Sequence, residues 1–251
     1  MPPVITTPVG ARSPSRVLAG PPLDGRPEPL ADHLGRLGAL PSVQDRPVIA
    51  TLEASGLLGR GGAGFPVGRK WRAIAGRKAT GPAVVVANGA EGEPGSAKDR
   101  VLMEHRPHLI LDGALLAADA VGADDVIVYV GREHVGAVRA MRRALQERRN
   151  VTHRSIRLVE APIGYVAGEA TAVVHYIDAG DARPTTTPPR MSERGVRGRP
   201  TLVQNVESLA QAALIARFGD TWYRAAGRAQ TRGTALVTVT GAVRHQGVRE
   251  I

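Results

Sequence analysis

An α/β fold built on a parallel sheet is what this sequence predicts, on three observations. Two short apolar runs, "AVVVA" (83–87) and "DDVIVYVG" (124–131), read as buried strands, and "SIRLVE" (155–160) reads as a third strand. Between them lie two helical patterns, Pro107–Val121 and His134–Arg149, each long enough for the right-handed crossover that parallel neighbours require. Apolar residues make up 43% of the 251, aromatics only 3%, so a sizeable but aliphatic core is expected.

Taken in order, residues 1–28 are rich in Pro, Gly and Arg and are expected to form a flexible arm. The α/β domain is expected over 29–230. It starts with short helices at Pro29–Leu37 and Pro47–Ala54; in the second, Val48, Ile49 and Leu52 keep helical spacing and the proline suits a first turn. The glycine-dense "GRGGAGFPVGRKW" (59–71) leads into a helix over Lys70–Ala75, and the strand Ala83–Ala87 empties into "NGAEGEPGSAKDR" (88–100). Leu109, Ile110, Leu115 and Leu116 mark an apolar side on Pro107–Val121, and His134–Arg149 has a basic face. Helix is expected again at Gly168–Ile177 and Val206–Phe218, on either side of a Pro- and Arg-rich loop, Arg183–Pro200, read as solvated or partner-facing. The stretch "TALVTVTGAVRHQGVREI" (234–251) alternates with period two about a turn. Residues 231–251 are therefore expected to be the incomplete start of a separate β-rich domain, and the chain to be a fragment.

The formal charge is +10, but the cations are nearly all arginine, with lysine only at 70, 78 and 98. They are spread along the chain without a basic run or basic–aromatic interleaving, so a nucleic-acid partner is disfavoured. The absence of cysteine excludes disulfides, thiolate zinc sites and a cysteine-ligated iron–sulfur cluster within this sequence. There is no signal-peptide pattern and no run of about 18 apolar residues. A cytoplasmic protein without direct membrane insertion is expected, one able to sit peripherally on a membrane complex. His105 and His108 lack a third ligand at matching spacing; helix-start or surface roles are expected, and no metal site.

Four loops could carry chemistry. Gly59, Gly61 and Gly64 satisfy G-x-G-x-x-G, but a helix rather than a strand precedes them and no acid ends the next strand, which disfavours an ordinary dinucleotide fold. What remains is a run of backbone N–H groups entering a helix beside Lys70, suited to an anion or phosphate; from this segment alone a merely flexible loop is the better reading. The second loop leaves a buried strand, where open α/β sheets bind ligands, and offers Asn88, Glu91 and Glu93 among bending glycines. Its carboxylates could accept from ribose or ribityl hydroxyls; the plainer alternative is a solvated acidic loop with Asp99 capping a helix. The third offers Gly164, Tyr165, Gly168 and Glu169, and the fourth places Gln204 and Asn205 at a helix start. Together they look like the rim of one site.

These loops resemble the FMN-binding flavoprotein subunit of respiratory complex I (the F subunit of NADH-quinone oxidoreductase) and its relatives in NAD-linked hydrogenases and formate dehydrogenases. The family pattern GRGGAGFPTGxKW, NADEGEPGTFKDR, AYICGEETAL, GxPTxVNNVET is matched in order by "GRGGAGFPVGRKW", "NGAEGEPGSAKDR", "GYVAGEATAV" and "GRPTLVQNVES". The resemblance covers roughly residues 48–251 and implies a parallel-sheet FMN-binding domain of the complex I flavoprotein type. It further implies that 231–251 opens a β-grasp-like (SLBB) domain, and that the cluster-bearing four-cysteine domain belongs to a missing C-terminal part or a partner. By the same likeness Gly61, Gly62, Gly64 and Lys70 line the flavin phosphate region and Asn88 and Glu91 meet the flavin's polar chain. Tyr165, Gly168, Glu169 and Asn205 complete the pocket, while Phe65 and Glu93 help to hold NADH.

The departures are Ala90 for the Asp of NADE, Ala170 for the second Glu of GEET and Gln204 for the first Asn of VNN. Arg190 and Ala73 stand where the family has aromatic residues. Since most of the flavin shell is kept and more of the NADH shell is altered, retained FMN and a weakened or replaced NADH donor are expected. Electrons would pass singly to an iron–sulfur partner subunit. The alternative is a non-catalytic assembly subunit that keeps the scaffold without flavin.

Overall fold

The computed structural model describes residues 15–23, 25–44, 47–77, 81–152, 154–228 and 231–251; residues 1–14 of the expected arm lie outside the described residues. Three helices come first: α1 (Leu30–Leu37), α2 (Val48–Ser55) and α3 (Val67–Ala75). The alternating unit follows with β1 (Ala83–Gly89), α4 (Lys98–His105), α5 (Pro107–Val121), β2 (Ala123–Gly131), α6 (Val135–Glu147) and β3 (Ser155–Ala161). After a short 3₁₀ turn at Tyr165–Gly168 come α7 (Ala170–Ala179), β4 (Thr201–Asn205) and α8 (Val206–Arg224). A small two-stranded pair, β5 (Gly227–Arg228) and β6 (Thr231–Arg232), precedes the hairpin β7 (Leu236–Val239) and β8 (Gly247–Glu250).

The sheet runs β3-β2-β1-β4 with every neighbour parallel. The fourth strand departs from the sequence reading, which ran Gln204 and Asn205 straight into a helix. TLVQN pairs with β1 from Val84↔Thr201 to Asn88↔Asn205 before α8 begins. Chain order thus moves outward from β1 to β2 to β3, then jumps back across β1 to β4. That reversal is a topological switch point, the place where doubly wound sheets open a crevice beyond their strand ends.

Both faces of the central strands β1 and β2 are covered, which is why these two read as continuous apolar runs, whereas edge strand β3 is only partly buried. One face carries Val85, Ala87, Val126 and Val128 against α2 to α6 and α8 in the main cluster. The other carries Val84, Val86, Ile127, Tyr129 and Val203 beneath α7 and Val196. Helix α5 is buried nearly all round rather than on one side, because the sheet and α8 enclose it. Gly113 makes that possible: a Cβ there would lie 2.1 Å from the Leu209 carbonyl oxygen of α8. The helix expected over Val206–Phe218 does stop being regular at Gly219, whose φ of 88° breaks it before a last turn.

The described part of the expected arm is not free. Val17 and Leu18 are buried in the main cluster. The Glu250 carboxylate accepts from the backbone N–H groups of Arg16, Val17 and Leu18. Fully buried Arg106 donates to the carbonyls of Leu18, Ala19 and Pro21. Composition averaged over 1–28 concealed two apolar residues that reach the core. At the other end, Leu236 and Val248 of the hairpin belong to the same cluster. Among the described residues no helix is long and apolar enough to cross a membrane.

His108 lies in the first turn of α5, as the helix-start reading expects, but it is buried there in a charged network. Asp112 of α5 accepts from Arg217 Nη2 at 2.5 Å and lies 2.7 Å from both Arg148 Nη2 and His33 Nε2. Glu28 holds His33 and Arg36 from the other side. Burial alone would raise the Asp112 carboxyl; His33, Arg148 and Arg217 outweigh it and hold it far below the usual range. Burial and then Arg148 push His108 down to about 4.

Asp112→Ala strands two buried guanidinium groups and is expected to destabilise the fold by about 3–5 kcal/mol, seen as a lower urea midpoint at unchanged slope. A depressed histidine binds its proton less readily when folded, so its contribution is full above the unfolded value of 6.5 and is lost as pH falls toward 4. Urea midpoints should therefore decline between pH 6.5 and 4, and His108→Gln should flatten that decline.

Candidate functional site

The strand ends at the switch point hold two asparagines side by side, Asn88 on β1 and Asn205 on β4. Each amide is fixed by its own surroundings. Asn205 Oδ1 caps α8 by accepting from Glu207 N at 3.0 Å and Ser208 N at 3.4 Å, while Nδ2 donates to Asp99 Oδ2 at 2.7 Å. Asn88 Oδ1 accepts from Ala90 N at 3.2 Å and Nδ2 donates to the Gly168 carbonyl at 2.8 Å. An amide has two N–H donors, so each asparagine keeps one for a ligand.

The four loops meet around this pair. A Cβ on Gly61 would lie 3.3 Å from Asn205 Cβ, and Arg60 N donates to Ser208 Oγ at 2.9 Å, which lays the glycine loop against the start of α8. The acidic loop and the Tyr165 loop touch through backbone. A Cβ on Gly92 would sit 2.0 Å from the Tyr165 carbonyl oxygen, and one on Gly168 2.4 Å from that of Ala90. Tyr165 Oη donates to Glu93 Oε2 at 3.4 Å. The glycines here are required by close packing, not by flexibility. Gly62 and Gly64, at φ 101° and 61°, differ: a Cβ on either would meet nothing within 4 Å, so the loop's face is open.

Lys70 sits at the base of that loop on α3, half-buried. Its Nζ donates to the Val203 carbonyl of β4 at 2.5 Å, and among the described residues it forms no ion pair. Burial lowers its pKa with no carboxylate to restore it, so an anion placed here would be stabilised by an under-compensated cation. Nearby on β4, Gln204 is buried with its Oε1 unbonded among the described residues. An open glycine face, an unpaired lysine, two N–H donors and an orphan acceptor fit an anionic, polyhydroxylated ligand.

Not every expected residue stands free. Both Glu91 oxygens turn inward to close α4, accepting from Ser96 Oγ, Asp99 N and Arg100 N. Glu91 thus performs the helix-capping expected of Asp99, which is itself buried behind it. Glu169 caps α7: its Oε2 accepts from Thr171 N, Thr171 Oγ1 and Ala172 N, while Oε1 has no partner among the described residues. Phe65 and Tyr165 are exposed at 54% and 69%, large apolar faces left uncovered at the rim. A cleft of about 520 Å³ lies beside the acidic loop, lined by Glu91, Glu93, His134, Tyr165 and Thr238. Neither the glycine loop nor Lys70, Asn88 or Asn205 lines this cleft.

Sequence reading missed Lys98, Asp99, Glu207 and Ser208 as a supporting layer. KDR directly after the acidic loop and the E-S after Asn205 were the available signal, since polar residues in the first turn of a buried helix need partners.

The family model described as the Nuo51 FMN-binding domain matches residues 52–214. The second F subunit of NADH-quinone oxidoreductase in Rhizobium meliloti (strain 1021) is 34% identical over 216 residues, 81% of this chain and 51% of that protein. The corresponding F subunit of NADH-quinone oxidoreductase in Rhodobacter capsulatus is 35% identical over 207 residues, covering 78% of this chain and 48% of its own. The crystal structure of an NAD+-reducing [NiFe]-hydrogenase in the H2-reduced state superposes with a TM-score of 0.75 at 34% identity, over 90% of this chain and 41% of that one. The chain spans about half the length of the curated relatives it matches. With the switch-point crevice, the four converging loops and a family match across most of the sheet, the chain belongs to the Nuo51 FMN-binding domain family of complex I-type flavoprotein subunits.

Proposed function

We propose that the chain is the FMN-binding part of an electron-transfer oxidoreductase. It would take a hydride from NADH, or from an altered donor, and deliver electrons singly to an iron–sulfur partner subunit. The observation that carries this reading is the meeting of the glycine, acidic, Tyr165 and Asn205 segments at the β1–β4 switch point, over a lysine without an acidic partner among the described residues. Bound FMN would supply the hydride-accepting and one-electron chemistry, and the chain's residues bind, orient and shelter it. The sequence has no cysteine, so the cluster would belong to another polypeptide or another segment.

In this reading the backbone of Gly61 and the open face at Gly62 and Gly64, with Lys70, hold the phosphate. Asn88 and Asn205 donate their remaining N–H groups to the ribityl and ring oxygens, and the unused Glu169 oxygen accepts from a hydroxyl. Gly168 lets the Tyr165 loop close against Ala90, while Glu91 acts indirectly by stiffening the acidic loop at the head of α4. Phe65 and Tyr165 offer apolar faces to planar rings, and Glu93 stands at the donor's side. NADH is held less well than in the relatives' pattern: Ala73 and Arg190 are exposed where aromatic rings are expected, and Ala170 offers no carboxylate. Each missing ring contact is worth about 0.5–1.5 kcal/mol, so two lower the affinity by roughly tenfold or more.

Titration of the purified chain with FMN should quench the flavin fluorescence to a 1:1 end point, with Lys70→Met weakening binding by about tenfold or more at unchanged melting temperature. Protein that elutes colourless after saturation would reject the reading in favour of a scaffold subunit. In the loaded protein, NADH should bleach the flavin anaerobically only well above micromolar concentration. Bleaching at micromolar NADH would contradict the donor assignment drawn from Ala73, Ala170 and Arg190.

A further inference from the structure

Behind Asn205 lies a buried polar layer that touches none of the groups assigned to the ligand except that asparagine. Asp99, 4% exposed in the first turn of α4, accepts from Asn205 Nδ2 at 2.7 Å on one oxygen and from Lys98 Nζ at 2.8 Å on the other. Lys98 Nζ is also 3.0 Å from Glu207 Oε2, on the first turn of α8. The other Glu207 oxygen accepts from Leu236 N at 2.9 Å and lies 3.8 Å from Arg60 Nε. From the acidic loop, Glu91 accepts from Asp99's own backbone N–H. The groups facing Asp99 are therefore Lys98 on its own helix, Glu91 on the loop and Glu207 on α8, with Arg60 reaching Glu207 from the glycine loop. One lysine serves two buried acids, with a third carboxylate close by.

We propose that Asp99 is a positioning residue of the cofactor site: its ionised carboxylate fixes the Asn205 amide so that the remaining N–H is presented to the ligand, and protonation of Asp99 releases that hold. The inference rests on the FMN reading above and adds to it a residue that touches no ligand. Its chemistry follows from donor counting. Ionised, Asp99 accepts at both oxygens; protonated, it carries a hydrogen on an oxygen that already faces a donor, and either Asn205 or Lys98 must turn away. Since Asn205 also caps α8, loosening it disturbs the ligand side and the helix start together. The transition falls in an accessible range. Burial first, then Glu91 and Glu207, raise Asp99 against the opposing pull of Lys98, to about 6. Ligand affinity should thus be high above that value and fall below it.

Flavin affinity, measured by fluorescence quenching from pH 7.5 to 5.0, tests this. The phosphate of FMN itself titrates near about pH 6, so riboflavin, which has none, is measured in parallel. For wild-type protein both ligands should lose about fivefold to tenfold in affinity across the range. In Asp99→Asn, which cannot ionise, riboflavin affinity should stay within about twofold. Asn205→Ser keeps a capping oxygen but gives Asp99 no amide; it should bind more weakly and be equally flat, and it carries the test if Asp99→Asn melts early by circular dichroism. A riboflavin profile of the same slope in wild type and both variants, or no slope in wild type, would overturn the role of Asp99 alone. Absence of flavin binding at pH 7.5 would instead overturn the FMN reading, and this inference with it.

Discussion

The pairing of β4 with β1 is the constraint on which the rest of the molecule depends. Had the chain continued outward from β3, the strand ends would form one uninterrupted edge, and the loops after β1 and β4 would lie on different parts of it. Because α7 covers the opposite face from α4, α5 and α6, the chain can return beside β1. The register Asn88↔Asn205 then sets two amides next to each other at the point where the covering layers part. The other contacts at the site are refinements of that placement. Arg60 ties the glycine loop to Ser208, Lys70 ties α3 to the Val203 carbonyl, and Asn88 ties the acidic loop to Gly168. Each bond crosses between elements far apart in sequence, and each ends on or beside one of these two strands.

The parts legible in the sequence were those whose signal is local. Strands β1 and β2 contain continuous apolar runs, α5 begins at a proline and ends at Gly122, and Val237–Thr240 of the hairpin alternates with period two; all three kinds of pattern survive without tertiary information. Strand β4 did not, because it is five residues long and joins α8 with no turn between, so its apolar residues merge into the helical pattern. The burial of Val17 and Leu18 was hidden for a different reason. Two apolar residues in a Pro- and Gly-rich run carry no periodicity, and it is Glu250 and Arg106, more than eighty residues away, that satisfy the backbone there. His108 shows the same limit: nothing adjacent in sequence announces Arg148, Glu147 or Asp112.

Charge was the least informative bulk property and one of the more informative local ones. A net +10 spread over the chain says little, since many of the arginines lie in ion pairs such as Arg72–Glu53, Arg154–Asp119 and Arg199–Asp124. Buried, the same groups become specific. Asp112 with Arg148, Arg217 and His33 joins α1, α5, α8 and the end of α6, and removing one member leaves the others without compensation. Lys98 with Asp99 and Glu207 does the same beneath the candidate site. Lys70 differs: it is half-buried, bonded to a backbone carbonyl, and has no acid beside it among the described residues. Arg106 is also buried without an ion pair among the described residues, but backbone carbonyls fill its guanidinium; Lys70 has one carbonyl and stands at the base of the open glycine face, a position suited to a negative group supplied from outside.

That contrast also bears on how the chain has diverged from the family pattern. The cradle is made mainly of backbone, of glycines that other loops press against and of side chains tied at both ends; substituting any of these disturbs the fold as well as the ligand. Gly92 and Gly168 cannot carry a Cβ without displacing a neighbouring carbonyl, and Asn205 can be replaced only by a residue that also caps α8. Two departures, Ala90 and Gln204, lie within the cradle, and the other three lie outside it. Ala73 and Arg190 are exposed and Ala170 is only half-buried, so none is held by packing in the way the cradle is. Residues whose only duty is to a second ligand are free to drift once that ligand changes, whereas residues that hold ligand and scaffold together are not. Under the proposed reading, Ala73, Arg190 and Ala170 would place a change of electron donor on the rim, while Ala90 and Gln204 would alter the strand ends of β1 and β4 themselves.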